Sequence, residues 1–173
     1  MEFNARSDIE PAREVAIRPY AAIEFPTALP DAEVRLRCLA PERTLLEKAT
    51  LLHEELFRPI ERGVRMRLSR HYYDLAQMID RGVGDAALAD LTLYQRVVDH
   101  RAVFFSNEWM GDYATMRDGP LILRPAKDRL ADWHSDYEKM SEMFFREPPS
   151  FDGLLNAADT FAKKLNKARG LEG

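Results

Sequence analysis

Between Pro41 and Pro59 the apolar residues Leu45, Ala49, Leu52 and Leu56 recur every three or four positions, the repeat of one buried face of an α-helix. Pro41 suits the first turn of such a helix, and Pro59 ends it. A second helix follows with the apolar face Tyr72, Leu75, Ala76 and Ile79, Ser69 as its candidate N-cap and Gly82 just past its end. These two stripes must pack on something, and each carries a charged residue at its margin. The pattern thereby brings one lysine, Lys48, and one aspartate, Asp74, onto neighbouring helices.

The helical signal continues to the C-terminus. A third helix is predicted from an Asp85 cap to about Phe105, followed by a loop over Ser106–Pro125 that holds a short strand at Leu121-Ile122-Leu123. Pro125 then opens a helix in which Leu130, Trp133, Tyr137, Met140 and Phe144 share a face, with Pro148-Pro149 as its stop. Ser150 caps a last helix carrying Leu154, Leu155, Ala158, Phe161 and Leu165. The first forty residues differ: they hold Pro11, Pro19, Pro26 and Pro30, and short alternating runs at Glu2–Arg6, Val15–Arg18 and Val34–Arg37 read as strands. The expected fold class is α+β, mainly α. Residues 1–173 are read as one domain, with a strand-rich sheet edge over 1–40 and a helical region over 41–173. An edge strand at Glu2–Arg6 needs a pairing partner, which suggests further chain upstream.

Composition narrows the class. With 46% hydrophobic and 31% charged residues the chain is an ordinary globular protein, and no apolar run approaches the roughly 18 residues that span a bilayer. The expected location is the cytoplasm, without a membrane partner. Cys38 is the only cysteine, so neither an internal disulfide nor a cysteine-based zinc site is available. The net charge of -4 hides a bias, since 19 of the 25 basic residues are arginine and several fall between Arg58 and Arg70. A guanidinium fork suits phosphate, although a solvated, ion-paired helix surface has the same composition.

Lys48 lies about 60° from the centre of its stripe, where its stem can rest on the core while the ammonium reaches a neighbouring cleft. A triphosphate would be a natural partner there; snorkelling to water, or pairing with Thr44 or Glu55, is the alternative. Asp74 shares a ridge with Arg67, Arg70, His71 and Met78. Either it forms an i,i+4 pair with Arg70, worth about 0.3 kcal/mol, or it faces Lys48 across the helix pair and holds the ammonium while Arg70 and His71 reach phosphate. Tyr72 reads as core, His100 and His134 as structural. The run His53-Glu54-Glu55 lacks the second histidine of H-E-x-x-H and is not read as a metal site.

Glu42–Glu55 and Arg70–Leu75 together resemble the AbiEii/AbiGii toxin family of nucleotidyltransferases, in which an ERTxxEKAxxLHxE helix precedes an RHYYDL helix. The resemblance extends further. Glu2–Asp8 is similar to the family's LEFGARSD strand, and Tyr137–Phe145 and Pro149–Asp152 to its DYxxMxxMFF and PSFD segments. Nearly the whole chain resembles the C-terminal portion of such proteins, with Leu45-Leu46 in place of the more usual Phe-Trp. It implies that Lys48 and Asp74 are catalytic, that Glu2 stands where related transferases keep a third carboxylate, and that the chemistry uses an NTP with Mg2+. Arg67, Arg70 and His71, beside Asp74 by helical spacing, are the candidate nucleotide and phosphate contacts.

The resemblance further implies a bacterial toxin-antitoxin or phage-defence (abortive infection) function. Nucleotide transfer to an acceptor RNA such as tRNA and a winged-helix antitoxin as partner belong to that expectation. One departure matters. The family's G-S motif and the acidic pair that hold magnesium are absent, since no glycine here is followed by serine, so the chain by itself is expected to be inactive. Two other readings stand beside this one: a non-catalytic helical module that binds a protein or RNA, and a metal-independent RNase of the HEPN type, for which Arg65 and His71 have a suitable spacing.

Overall fold

Alternation of charged with β-branched and apolar residues produces a hairpin near the N-terminus. In a computed structural model, which describes residues 8–110 and 113–171, β1 (Ala12–Ile17) pairs antiparallel with β2 (Val34–Leu39). Val15 lies opposite Leu36 and Ile17 opposite Val34, so these four side chains share one face of the two-stranded sheet. The strands contain the Val15 and Val34 runs expected from sequence, although Arg18 falls just beyond β1. A short helix, α1 (Tyr20–Glu24), lies in the connection and buries Ala22. The strand expected at Glu2–Arg6, and with it Glu2, lies outside the described residues. Met1–Ala40 forms one compact unit, Pro41–Gly173 another.

The second unit contains α2 (Pro41–Leu56), α3 (Arg70–Asp80), α4 (Val83–Leu88), α5 (Leu91–Phe104), α6 (Ala114–Asp118), α7 (Leu130–Glu138) and α8 (Phe151–Ala168). The fold is α+β and mainly α, as the periodicity predicts. Helix α2 packs on α3, α4 and α5, and α3 also packs on α8. Leu45, Leu52, Leu75 and Leu155 are fully buried in the core between them. Tyr72 is the aromatic centre of this core: its ring meets Trp133 and Phe151 edge-on, at centroid distances of 5.2 and 5.5 Å. Its hydroxyl donates to the Leu123 carbonyl at 2.8 Å, so the polar tip is satisfied where the ring is buried. No helix among the described residues is long and apolar enough to cross a membrane.

Several boundaries differ from the sequence reading. The helix expected from Asp85 to Phe105 is two helices, and the longer one is capped by Asp90, whose carboxylate accepts from the Thr92 and Leu93 amides. An aspartate in first-turn position resembled a cap, but the cap that forms belongs to the second helix. The helix expected to open at Pro125 and run to Phe144 starts as a 3-10 turn over Lys127–Arg129 and ends as α7 at Glu138, with another 3-10 turn at Ser141–Met143. The segment 121–123 is not a strand. Its backbone is held by side chains instead: Asn166 exchanges two hydrogen bonds with Leu121, and the Ile122 amide donates to Nδ1 of His53 at 2.9 Å. Ser150 caps α8, as expected, by accepting from the Gly153 amide.

Candidate active site

Lys48, on the margin of the α2 stripe, and Asp74, on the margin of α3, meet where the two helices pack. Lys48 Nζ donates to Asp74 Oδ2 at 2.8 Å. Two of the local pairings open to these residues are not adopted: Asp74 takes Lys48 rather than Arg70, and Glu55 is occupied by Arg65 at 2.7 Å. The lysine and aspartate side chains are 22% and 41% exposed, so the pair borders solvent and contributes little to stability.

His71 stands one helical turn before Asp74, and its Nδ1 lies 3.4 Å from Lys48 Nζ. Burial, and then the positive charges of Lys48 and Arg70, push its imidazole down to about 4. The ring is neutral at pH 7. With Nδ1 turned to the ammonium, Nε2 carries the proton.

A second histidine is pushed down to about 4, chiefly by burial: His53, whose Nδ1 accepts from Ile122. Both rings titrate at about 6.5 in an unfolded chain, so between these values the unfolded state binds more protons. Stability is therefore complete above the unfolded value and falls as pH drops toward 4. The urea midpoint should decline steadily from about pH 7 to about pH 4.5. His53→Asn, which keeps an acceptor for Ile122, should remove part of that decline. A midpoint that is flat in the wild type over this range would contradict two buried neutral rings.

The approach to α3 is built by a residue that the helical periodicity does not single out. Ser69 has helical backbone angles and makes no cap, contrary to expectation. Its amide and its hydroxyl both donate to Asp136 of α7, at 2.9 and 2.7 Å, and the Arg67 amide donates to the same carboxylate at 2.6 Å. Arg67 sits at φ 61, a left-handed conformation that costs a non-glycine residue about 1–2 kcal/mol. Asp136 offsets that cost with charge-assisted hydrogen bonds and fixes the loop that carries Arg67 into α3. Arg67 and Arg70 are both exposed. The signal for Asp136 lay in the family-like DYxxMxxMFF segment, which begins with it.

Glu54 and Glu55 are buried and ion-paired. They are 1% and 0% exposed and lie at the C-terminal end of α2, where the helix dipole disfavours an acid unless cations compensate. Arg101 and Arg65 supply the compensation. Arg129 completes it by donating to the Glu55, Leu56 and Arg58 carbonyls at the same helix end. Arg65 is thus engaged by Glu55, and its charge is also among those that lower the His71 pKa. His100 packs on Phe104, and His134 lies 3.4 Å from Asp152.

A cleft of about 440 Å³ opens beside the pair, with Arg70 and Asp74 at one end and Tyr73, Met140, Met143 and Phe144 among its walls. Arg70 and Arg146 line it together with two carboxylates, Asp74 and Glu147, and Asp74 already accepts from Lys48, which is not itself among the lining side chains. No group of three or more His, Cys, Asp or Glu side chains converges among the described residues.

A family model described as "Nucleotidyl transferase AbiEii toxin, Type IV TA system" matches residues 1–165. No curated protein and no solved structure matches the chain.

Proposed function

The chain belongs to the AbiEii family of nucleotidyl transferase toxins from type IV toxin-antitoxin systems, and we propose that Lys48 and Asp74 form the part of its active site that holds and orients a nucleotide. The observation that carries this reading is the 2.8 Å contact between the two side chains, with Asp74 and the cationic Arg70 lining the cleft beside it. Lys48 places positive charge beside a phosphate, and Asp74 fixes the ammonium in position. His71 adds an uncharged N–H. Arg67 and Arg70, exposed beside the cleft, supply bidentate contacts to phosphate.

Family chemistry calls for an NTP and a metal ion, and the carboxylates for Mg2+ would be residues other than those gathered here. The isolated chain is therefore expected not to transfer nucleotide. Supplied with a segment that contains the family's G-S and acidic motif, it would transfer a nucleotide to an acceptor such as tRNA. The proposed setting is the cytoplasm of a bacterium under phage attack, and the antitoxin that a type IV system implies is proposed to be a winged-helix protein. The engagement of Asp74 by Lys48 favours the second reading, a non-catalytic module for RNA or a protein. The proposed position of Glu2 as a further carboxylate belongs to the transferase reading alone.

The test is transfer of label from an α-labelled NTP to total RNA, with and without the supplied segment. Label that appears only with both parts supports the proposal; none under any combination contradicts it. RNA binding gives a separate check. If Arg67 and Arg70 contact phosphate, each adds about 0.7 to the salt slope of single-strand binding. The double substitution Arg67→Glu/Arg70→Glu should then weaken RNA binding and flatten its salt dependence without unfolding α3. RNA affinity indifferent to both salt and these substitutions would return the two arginines to a solvated surface.

A further inference from the structure

The cleft beside Asp74 has a wall that phosphate binding does not use. Met140 is buried, Tyr73 and Phe144 are half-buried, and Met143 is 51% exposed. The Tyr73 and Phe144 rings lie 5.0 Å apart at a 52° tilt, and the Met140 sulfur is 3.1 Å from Ser69 Oγ, which fixes this end of the 3-10 turn against the start of α3. An apolar aromatic wall left open to solvent costs free energy unless something covers it.

Its size and its surroundings select the occupant. At about 440 Å³ the cleft falls in the range of small-molecule sites, roughly 300–1,000 Å³. Arg70, Arg146, Asp74 and Glu147 also line this cleft, and Asp74 simultaneously holds Lys48, so the apolar wall is continuous with a polar end that carries two guanidinium groups. A ligand that spans both must be flat and apolar at one end and anionic at the other. A nucleotide has that shape. Tyrosine and phenylalanine faces stack on bases of any identity, and methionine thioethers adapt to an aromatic edge.

We propose that the cleft walled by Tyr73, Met140, Met143 and Phe144 is the nucleobase subsite of the site centred on Lys48 and Asp74. The inference rests on the nucleotide reading above and adds to it which end of the ligand lies where: base against Phe144 and Tyr73, sugar beside Asp74, phosphates toward Lys48 and Arg70. Because stacking supplies the contact, the subsite accepts any of the common bases. Base identity changes affinity less than the presence of a base does.

Calorimetric titration of the full chain without added metal, using ATP, CTP, GTP, UTP and inorganic tripolyphosphate, separates the possibilities. The four NTPs should bind on the order of ten-fold or more tightly than tripolyphosphate. Phe144→Leu, which keeps an apolar side chain but removes the ring, should bring NTP affinity toward that of tripolyphosphate and leave tripolyphosphate affinity unchanged. A measurement without substitution guards against a folding defect: base stacking should shift the Met140 and Met143 methyl resonances through ring currents on adding NTP but not tripolyphosphate. Equal affinities with unmoved methyl signals would overturn the base subsite and leave the phosphate reading standing. No binding of either ligand would overturn both.

Discussion

Replacing Arg101 with alanine should destabilise the protein by about 3–5 kcal/mol, the cost of leaving a buried charge without its partner. Glu54 is 1% exposed and receives two parallel donations from Arg101, at 2.5 and 2.6 Å, and a third from Asn107 at 3.0 Å. Removing the guanidinium strands the carboxylate inside the helical unit. At this chain length each kcal/mol moves the melting temperature by about 2–4 °C, so the expected drop is on the order of 10 °C. The double replacement Glu54→Leu/Arg101→Met should cost much less than the two single changes added together, since no unpaired charge is left. Thermal melts of the four proteins in the cycle provide the check. Single variants that melt within a degree or two of wild type would show that this ion pair does not hold α2 and α5 together.

Lys48→Ala and Asp74→Ala should have the opposite profile. Each should lower nucleotide transfer about 100-fold or more, on the order of 3 kcal/mol of transition-state stabilisation, in a preparation that includes the family's G-S and acidic segment. Stability should change by less than about 1 kcal/mol, because both side chains are partly solvated. Lys48→Arg is informative as well: it keeps the charge but replaces a compact ammonium with a planar fork, and should not restore the rate. Folded variants with near wild-type turnover would reduce the pair to a surface ion pair.

How much of this was legible in the sequence depends on how far apart the interacting residues are. The meeting of Lys48 and Asp74 follows from two stripes, because a residue on the margin of one packed helix face must approach the margin of the next. Tyr72 was legible as core for the same reason. The loop before α3 was not. Its fixation depends on Asp136, which lies far along the chain from Ser69 and Arg67, and helical periodicity does not distinguish Asp136 from a solvent-facing acid. Ser69 looked like a cap since serine before an apolar run usually is one; here a distant carboxylate recruits its amide and its hydroxyl instead.

The helix ends went astray where periodicity outlasts the helix. Met140 and Phe144 continue the spacing of Trp133 and Tyr137, yet the helix ends at Glu138, and the two side chains reach the cleft from either end of the 3-10 turn Ser141–Met143. That turn creates the apolar wall, which a continuous helix would not have placed beside Arg70. Glu54 and Glu55 left a signal in the sequence, two acids at a helix C-terminus, but their partners Arg101 and Arg65 come from elsewhere in the chain.

The central claim, that Lys48 and Asp74 lie at a nucleotide site, is tested most directly by NTP affinity in Lys48→Met, measured by calorimetry beside the wild type. Methionine keeps most of the apolar stem and removes the charge. A charge-assisted contact to phosphate is worth about 1.5–3 kcal/mol, so the account predicts binding weakened ten-fold or more in a protein that melts close to the wild type. A folded Lys48→Met protein that binds NTP as tightly as the wild type would contradict it.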